Sequence, residues 1–180
     1  YLGNYYDVIG DTENMLKYYL MGIEKGNTKC MNNLGCHHEK NRDYGNTIKY
    51  YLMAIEKGYV PSISNLGHHY ENICDYDNMM KYYMLGIQKK DIFCMEKLGS
   101  YYCKIHDHDN AIKYYLMGDE HGSYDCINFI DMCISKSSKL WIYLKYFKYI
   151  IKKDNIKKCF KLYDKYIENK KYFIDINFSI

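Results

Sequence analysis

One interval of 32 residues spaces the most distinctive motifs of this sequence. The dipeptide Leu-Gly occurs four times at this interval, as does the tripeptide Lys-Tyr-Tyr, and an aspartate and an asparagine keep the same step. The Leu-Gly pairs begin at Leu2, Leu34, Leu66 and Leu98, and the Lys-Tyr-Tyr motifs begin at Lys17, Lys49, Lys81 and Lys113. A fixed period of roughly 20–50 residues is typical of repeat proteins, whose units are stable only when they stack on their neighbours.

Each repeat is predicted to contain two helices, which we name A and B. In the second repeat we expect helix A at residues 29–40 and helix B at residues 44–57. Apolar or small side chains recur on each at the positions i, i+3, i+4 and i+7, which share one face of a helix. They are Met31, Leu34, Gly35 and His38 on helix A, and Ile48, Tyr51, Leu52 and Ile55 on helix B.

The helix ends carry their own signals. Asp43 suits the N-cap of helix B because its carboxylate can accept hydrogen bonds from the free N–H groups of the first turn. Gly58 suits the end of helix B, where glycine adopts left-handed backbone readily. Glycine recurs there as Gly26 and Gly122, but the third repeat has Lys90, so we expect a different turn in that repeat.

Small residues on both helices predict a close approach within each pair. The positions of Gly35 on helix A and Ala54 on helix B hold glycine or alanine in every repeat. Glycine inside a helix costs about 1 kcal/mol relative to alanine, which is tolerable where it lets two helices meet. A buried tyrosine is predicted beside each contact, at Tyr19, Tyr51, Tyr83 and Tyr115.

Composition favours a helical, folded chain that does not cross a membrane. Hydrophobic residues make up 48% of the 180 residues, which excludes a disordered chain. Proline occurs once, which favours long regular helices. No apolar run approaches the ~18 residues of a transmembrane helix, so no membrane partner is expected.

Charge divides the chain into two predicted regions. Residues 1–135 hold 13 Lys and Arg against 18 Asp and Glu, and we assign four to five helical repeats to them. Residues 136–180 hold 12 Lys against 4 acidic residues and lack the Leu-Gly motif, so we expect divergent, lysine-rich capping helices there. A basic segment can bind nucleic acid or another acidic surface, although a solvated lysine face is the favoured interpretation.

The eight cysteines form no CxxC pair. Cys30, Cys94 and Cys126 share one repeat position, which suits a small apolar side chain. We therefore interpret the cysteines as reduced thiols of a cytosolic protein.

The histidines are the other candidates for chemistry. The pairs His37-His38 and His68-His69 could supply zinc ligands. Tyrosine occupies the same positions in other repeats, so histidine is interpreted as a replacement for a polar aromatic side chain. Cys36 and His37 are adjacent on one helix and do not face each other, so no catalytic pair is expected. The sequence therefore predicts no enzyme, no metal site and no cofactor.

Residues 50–58 (YYLMAIEKG) and 62–67 (SISNLG) resemble the Sel-one-like repeat in the spacing of their aromatic, small and Leu-Gly positions. The distance between helices A and B is similar to that of tetratricopeptide repeats. The signature positions of that family are occupied by Leu34, Gly35, His38, Thr47, Tyr51 and Ala54. The resemblance covers about residues 1–135 and implies an all-α fold, a right-handed α-solenoid of antiparallel helix pairs. The richness in Tyr, Asn, Lys and Ile is similar to repeat proteins of large DNA viruses, which would place this protein in the host cytoplasm.

The resemblance also implies a binding surface, because helix A lines the concave face in repeats of this kind. Positions on that face vary between repeats, whereas the core positions recur. The residues that the resemblance implies to be exposed and to bind the partner are Lys29, Asn32, Cys36, Glu39, Lys40, Ser64, His68, Glu71, Asn72, Glu96, Ser100, Lys104 and Asn128. They imply a scaffold that binds a peptide or protein partner and takes no small-molecule substrate. Nucleic-acid or acidic-surface binding through the basic C-terminal helices is the alternative function.

Overall fold

The computed structural model describes residues 2–123 and 129–130, and its regular structure there is helical. Eight helices follow one another in these residues with no strand between them. They are α1 (Leu2–Ile9), α2 (Thr12–Glu24), α3 (Thr28–Lys40), α4 (Tyr44–Glu56), α5 (Pro61–Asn72), α6 (Tyr76–Gln88), α7 (Ile92–Lys104) and α8 (His108–Glu120). The predicted capping helices of residues 136–180 and the boundary at residue 135 lie outside the described residues.

The helices form packed pairs, which we number as repeats 1 to 4 in chain order. Helix α1 packs against α2, α3 against α4, and α5 against α6, while α2 also contacts α3 and α4 contacts α5. Helices α3 and α4 begin and end within one residue of the predicted bounds. The predicted all-α architecture of helix pairs is confirmed and is consistent with an α-solenoid, whereas its handedness stays a prediction.

The chain divides into two compact units. Among the described residues, the first contains residues 2–98 and 117–123, and the second contains residues 99–116 and 129–130. Within the first unit, a buried cluster of Met15, Tyr19 and Leu34 joins α2 to α3. A cluster that contains Tyr51 and Leu66 joins α4 to α5 in the same way. The recurring leucine of helix A therefore packs on helix B of the preceding repeat.

An aspartate caps helix B in every described repeat. In repeat 2 the Asp43 carboxylate accepts a hydrogen bond from the Asn46 backbone N–H at 3.2 Å and another from the Asn46 side-chain amide at 2.7 Å. The same two hydrogen bonds form at Asp11–Asn14, Asp75–Asn78 and Asp107–Asn110. These hydrogen bonds, first from the Asn46 side chain and then from its backbone, hold the pKa of Asp43 below its ordinary value. The predicted cap is confirmed.

The turn after helix B has one conformation in repeats 1 to 4. Gly26, Gly58 and Gly122 have positive φ angles, of 75°, 82° and 100°. Lys90 has a φ of 61°, and its N–H donates to the Ile87 carbonyl at 2.9 Å as the Gly58 N–H donates to Ile55 at 2.8 Å. The expectation of a different turn in repeat 3 is wrong, because the lysine adopts the left-handed conformation at a cost of roughly 1–2 kcal/mol.

A tyrosine ring of helix B lies against a glycine of helix A in each repeat. Tyr51 is fully buried, and a Cβ atom on Gly35 would lie 2.7 Å from two atoms of its ring. The same contact joins Gly3 to Tyr19, Gly67 to Tyr83 and Gly99 to Tyr115. Helix A therefore needs glycine at this position. The predicted burial of Tyr19, Tyr51, Tyr83 and Tyr115 is confirmed.

The lysine and the first tyrosine of each Lys-Tyr-Tyr motif form a stack with an aromatic side chain of helix A. Tyr50 stacks on His38, with 5.4 Å between the ring centroids, and Lys49 lies over the Tyr50 ring at 5.2 Å. In the other repeats the stacked pairs are Tyr6–Tyr18, Tyr70–Tyr82 and Tyr102–Tyr114, each with a lysine over the second ring. His38 thus replaces a tyrosine in an equivalent stack, as predicted.

A second close contact joins helix B of one repeat to helix A of the next. A Cβ atom on Gly86 would clash with the Cys94 sulfur, and the same holds for Gly22 and Cys30. At the junction between α4 and α5 the two positions hold Ala54 and Ser62, which are fully buried. At this junction the helix-B residue is larger, alanine instead of glycine, and the helix-A residue is smaller, serine instead of cysteine.

Candidate binding surface

The predicted partner-binding residues differ in exposure. Those that are exposed are Lys29, Lys40, Asn72 and Lys104. Those that are partly exposed are Cys36, Glu39, His68, Glu71, Glu96 and Ser100. Two are buried, Asn32 and Ser64, and Asn128 lies outside the described residues. Ser100 and Lys104 belong to the second compact unit, and the other described members belong to the first.

The predicted exposure of Asn32 and Ser64 is wrong. Asn32 is 8% exposed, and its side-chain oxygen accepts hydrogen bonds from the Ser62 hydroxyl at 2.9 Å and the Asn65 amide at 2.8 Å. Ser64 is equally buried, and its hydroxyl donates to the Pro61 carbonyl at 3.0 Å. Because α3 and α5 contact each other directly, the hydrogen bonds of Asn32 join adjacent A helices.

Glu39 and Glu71 accept hydrogen bonds from buried tyrosines. The Tyr51 hydroxyl donates to Glu39 Oε2 at 2.9 Å, and the Tyr83 hydroxyl donates to Glu71 Oε2 at 2.8 Å. Burial raises the pKa of both tyrosines, and each hydroxyl stays protonated as a donor. Both glutamates therefore stabilise the fold, and replacing them would not test partner binding alone.

Cys36 lies beside the same tyrosine. Its sulfur is 3.2 Å from the Tyr51 hydroxyl oxygen. Burial is the largest cause of its raised pKa, which favours the thiol over the thiolate that nucleophilic chemistry needs. Asn4 occupies the equivalent position in repeat 1, where its oxygen accepts from the Tyr19 hydroxyl at 3.1 Å. Both side chains therefore lie next to the hydroxyl of a buried tyrosine.

A histidine of one repeat faces an acidic side chain of the preceding repeat. His69 Nδ1 lies 3.4 Å from Glu39 Oε1, and His37 Nδ1 lies 3.8 Å from Asp7 Oδ1. Sequence reasoning missed this contact, although the acid and the histidine are 30 residues apart in both cases. The side chain of His68 is 40% exposed, and its Nδ1 lies 3.5 Å from Glu71 Oε2. Of the two neighbouring histidines, His68 is thus the accessible one.

No group of three His, Cys, Asp or Glu side chains among the described residues is arranged to hold a metal ion. In the same part of the chain no helix combines the length and apolarity that crossing a membrane requires. Glu96 accepts a hydrogen bond from the Ser123 hydroxyl. What the described surface offers is hydrogen bonding and charge from side chains on successive A helices.

Comparison with known proteins adds no relative. No protein-family model matches the chain, and no curated protein sequence matches it either.

Proposed function

We propose that this protein is a scaffold for protein–protein interaction, and that α3 and α5 bind an extended segment of a partner protein. The observation that carries this proposal is the division of helix A into two sets of positions. The glycine–tyrosine contact recurs in every described repeat and the leucine is buried in repeats 2 to 4, whereas the exposed positions change from repeat to repeat. A recurring core with a varied surface is what a recognition scaffold requires.

The side-chain contacts within the fold reduce the set of predicted residues that can recognise a partner. Lys29, Lys40, His68 and Asn72 keep exposed side chains on α3 and α5 of the first compact unit. The similarity to Sel-one-like and tetratricopeptide repeats supports a groove on this side of the helix pairs. The raised pKa of Cys36 supports a binding role over thiol catalysis.

The test removes these exposed side chains without touching the tyrosine contacts. We expect the triple variant Lys29→Ala, Lys40→Ala, His68→Ala to lose partners that the wild-type chain retains from the native cell, with an unchanged melting temperature. The matched control is Glu24→Ala, Glu56→Ala, Gln88→Ala, at exposed positions on three B helices. Quantitative mass spectrometry compares the retained proteins. The proposal fails if both variants retain the same proteins as the wild type.

The alternative of nucleic-acid or acidic-surface binding rests on the 12 lysines of residues 136–180. A salt titration of the retained complex distinguishes it. Phosphate contacts make the logarithm of affinity fall linearly with the logarithm of salt concentration, whereas an A-helix groove predicts a shallow dependence.

A further inference from the structure

We draw no further inference here: the strongest candidate, the surface patch of Leu20 and Met21 on α2, which are both 44% exposed at positions that hold leucine or methionine in every described repeat, carries nothing because nothing in the structure shows what covers it.

Discussion

Replacing Gly86 by alanine adds a methyl group at the junction between α6 and α7. The new Cβ atom would lie 3.0 Å from Cys94 Cβ and closer still to the Cys94 sulfur. Carbon atoms in ordinary contact are about 3.5–4.0 Å apart, so either the helices or the Cys94 side chain must move. Cys94 is fully buried, and its surroundings leave little room for that movement.

The expected energies follow from this geometry. Overpacking a core costs about 1–3 kcal/mol, and alanine recovers about 1 kcal/mol of helix propensity relative to glycine. Gly86→Ala should therefore lower the free energy of unfolding by up to about 2 kcal/mol. Cys94→Ala alone removes buried volume and should cost about 1 kcal/mol. In the double variant the added methyl group fills the space of the lost sulfur, so we expect a favourable coupling energy of about 1–2 kcal/mol.

Chemical denaturation of the four proteins, followed by far-UV circular dichroism, measures this coupling as a double-mutant cycle. Gly45→Ala is the matched control, because Gly45 lies in α4 and its added Cβ would have Asp43 Oδ1 at 4.0 Å as its nearest neighbour. That control should gain about 1 kcal/mol. Losses that add within about 0.5 kcal/mol would refute the argument that the two positions share one volume.

Three further predictions concern single contacts. Glu71→Ala should cost about 1–3 kcal/mol in urea unfolding because it leaves the buried Tyr83 hydroxyl without its acceptor, and Tyr83→Phe in the same chain should recover part of that loss. Lys90→Gly should stabilise the protein by about 0.5–1 kcal/mol by removing left-handed strain, whereas Lys89→Gly should destabilise it; equal effects would contradict the strain argument. The pKa of Asp43 is lower in the folded chain than the ordinary 3.8, so its contribution to stability is present above pH 3.8 and is lost as the pH falls below that value through the folded pKa. Asp43→Asn should therefore flatten the dependence of melting temperature on pH between about pH 5 and pH 2, and an unchanged dependence would count against the cap.

The helices and their core could be predicted because the residues that hold them together recur. Leu34 and Tyr51 keep their places in every repeat, since each must fit a glycine or a neighbouring helix of constant shape. The period of the sequence therefore matches a period of the packing contacts. Lys90 shows the limit of this reasoning, because the hydrogen bonds of the turn outweigh the preference of its residue for another backbone conformation.

The candidate surface was harder to predict, because exposure depends on neighbouring repeats. Asn32 occupies a position that varies between repeats, which favours a surface role, yet it hydrogen-bonds to Ser62 and Asn65 of the next repeat. The contact between His69 and Glu39 joins two repeats at positions that are not equivalent, and it recurs between His37 and Asp7. A comparison of equivalent positions shows which residue types recur. It does not show which positions contact each other across two repeats.

Side-chain sizes are matched where helix B of one repeat meets helix A of the next, and this limits where modules of this chain can be recombined. A crossover in the turn between helices A and B separates Gly35 from Tyr51, and both residue types are the same in every described repeat, so this contact is preserved after an exchange. A crossover in the turn between helix B and the next helix A separates Ala54 from Ser62. It can place that alanine against a cysteine, which in its own repeat junction packs on a glycine. Gene duplication or protein engineering with this scaffold should therefore cut within the repeats, between helices A and B, and keep each junction intact.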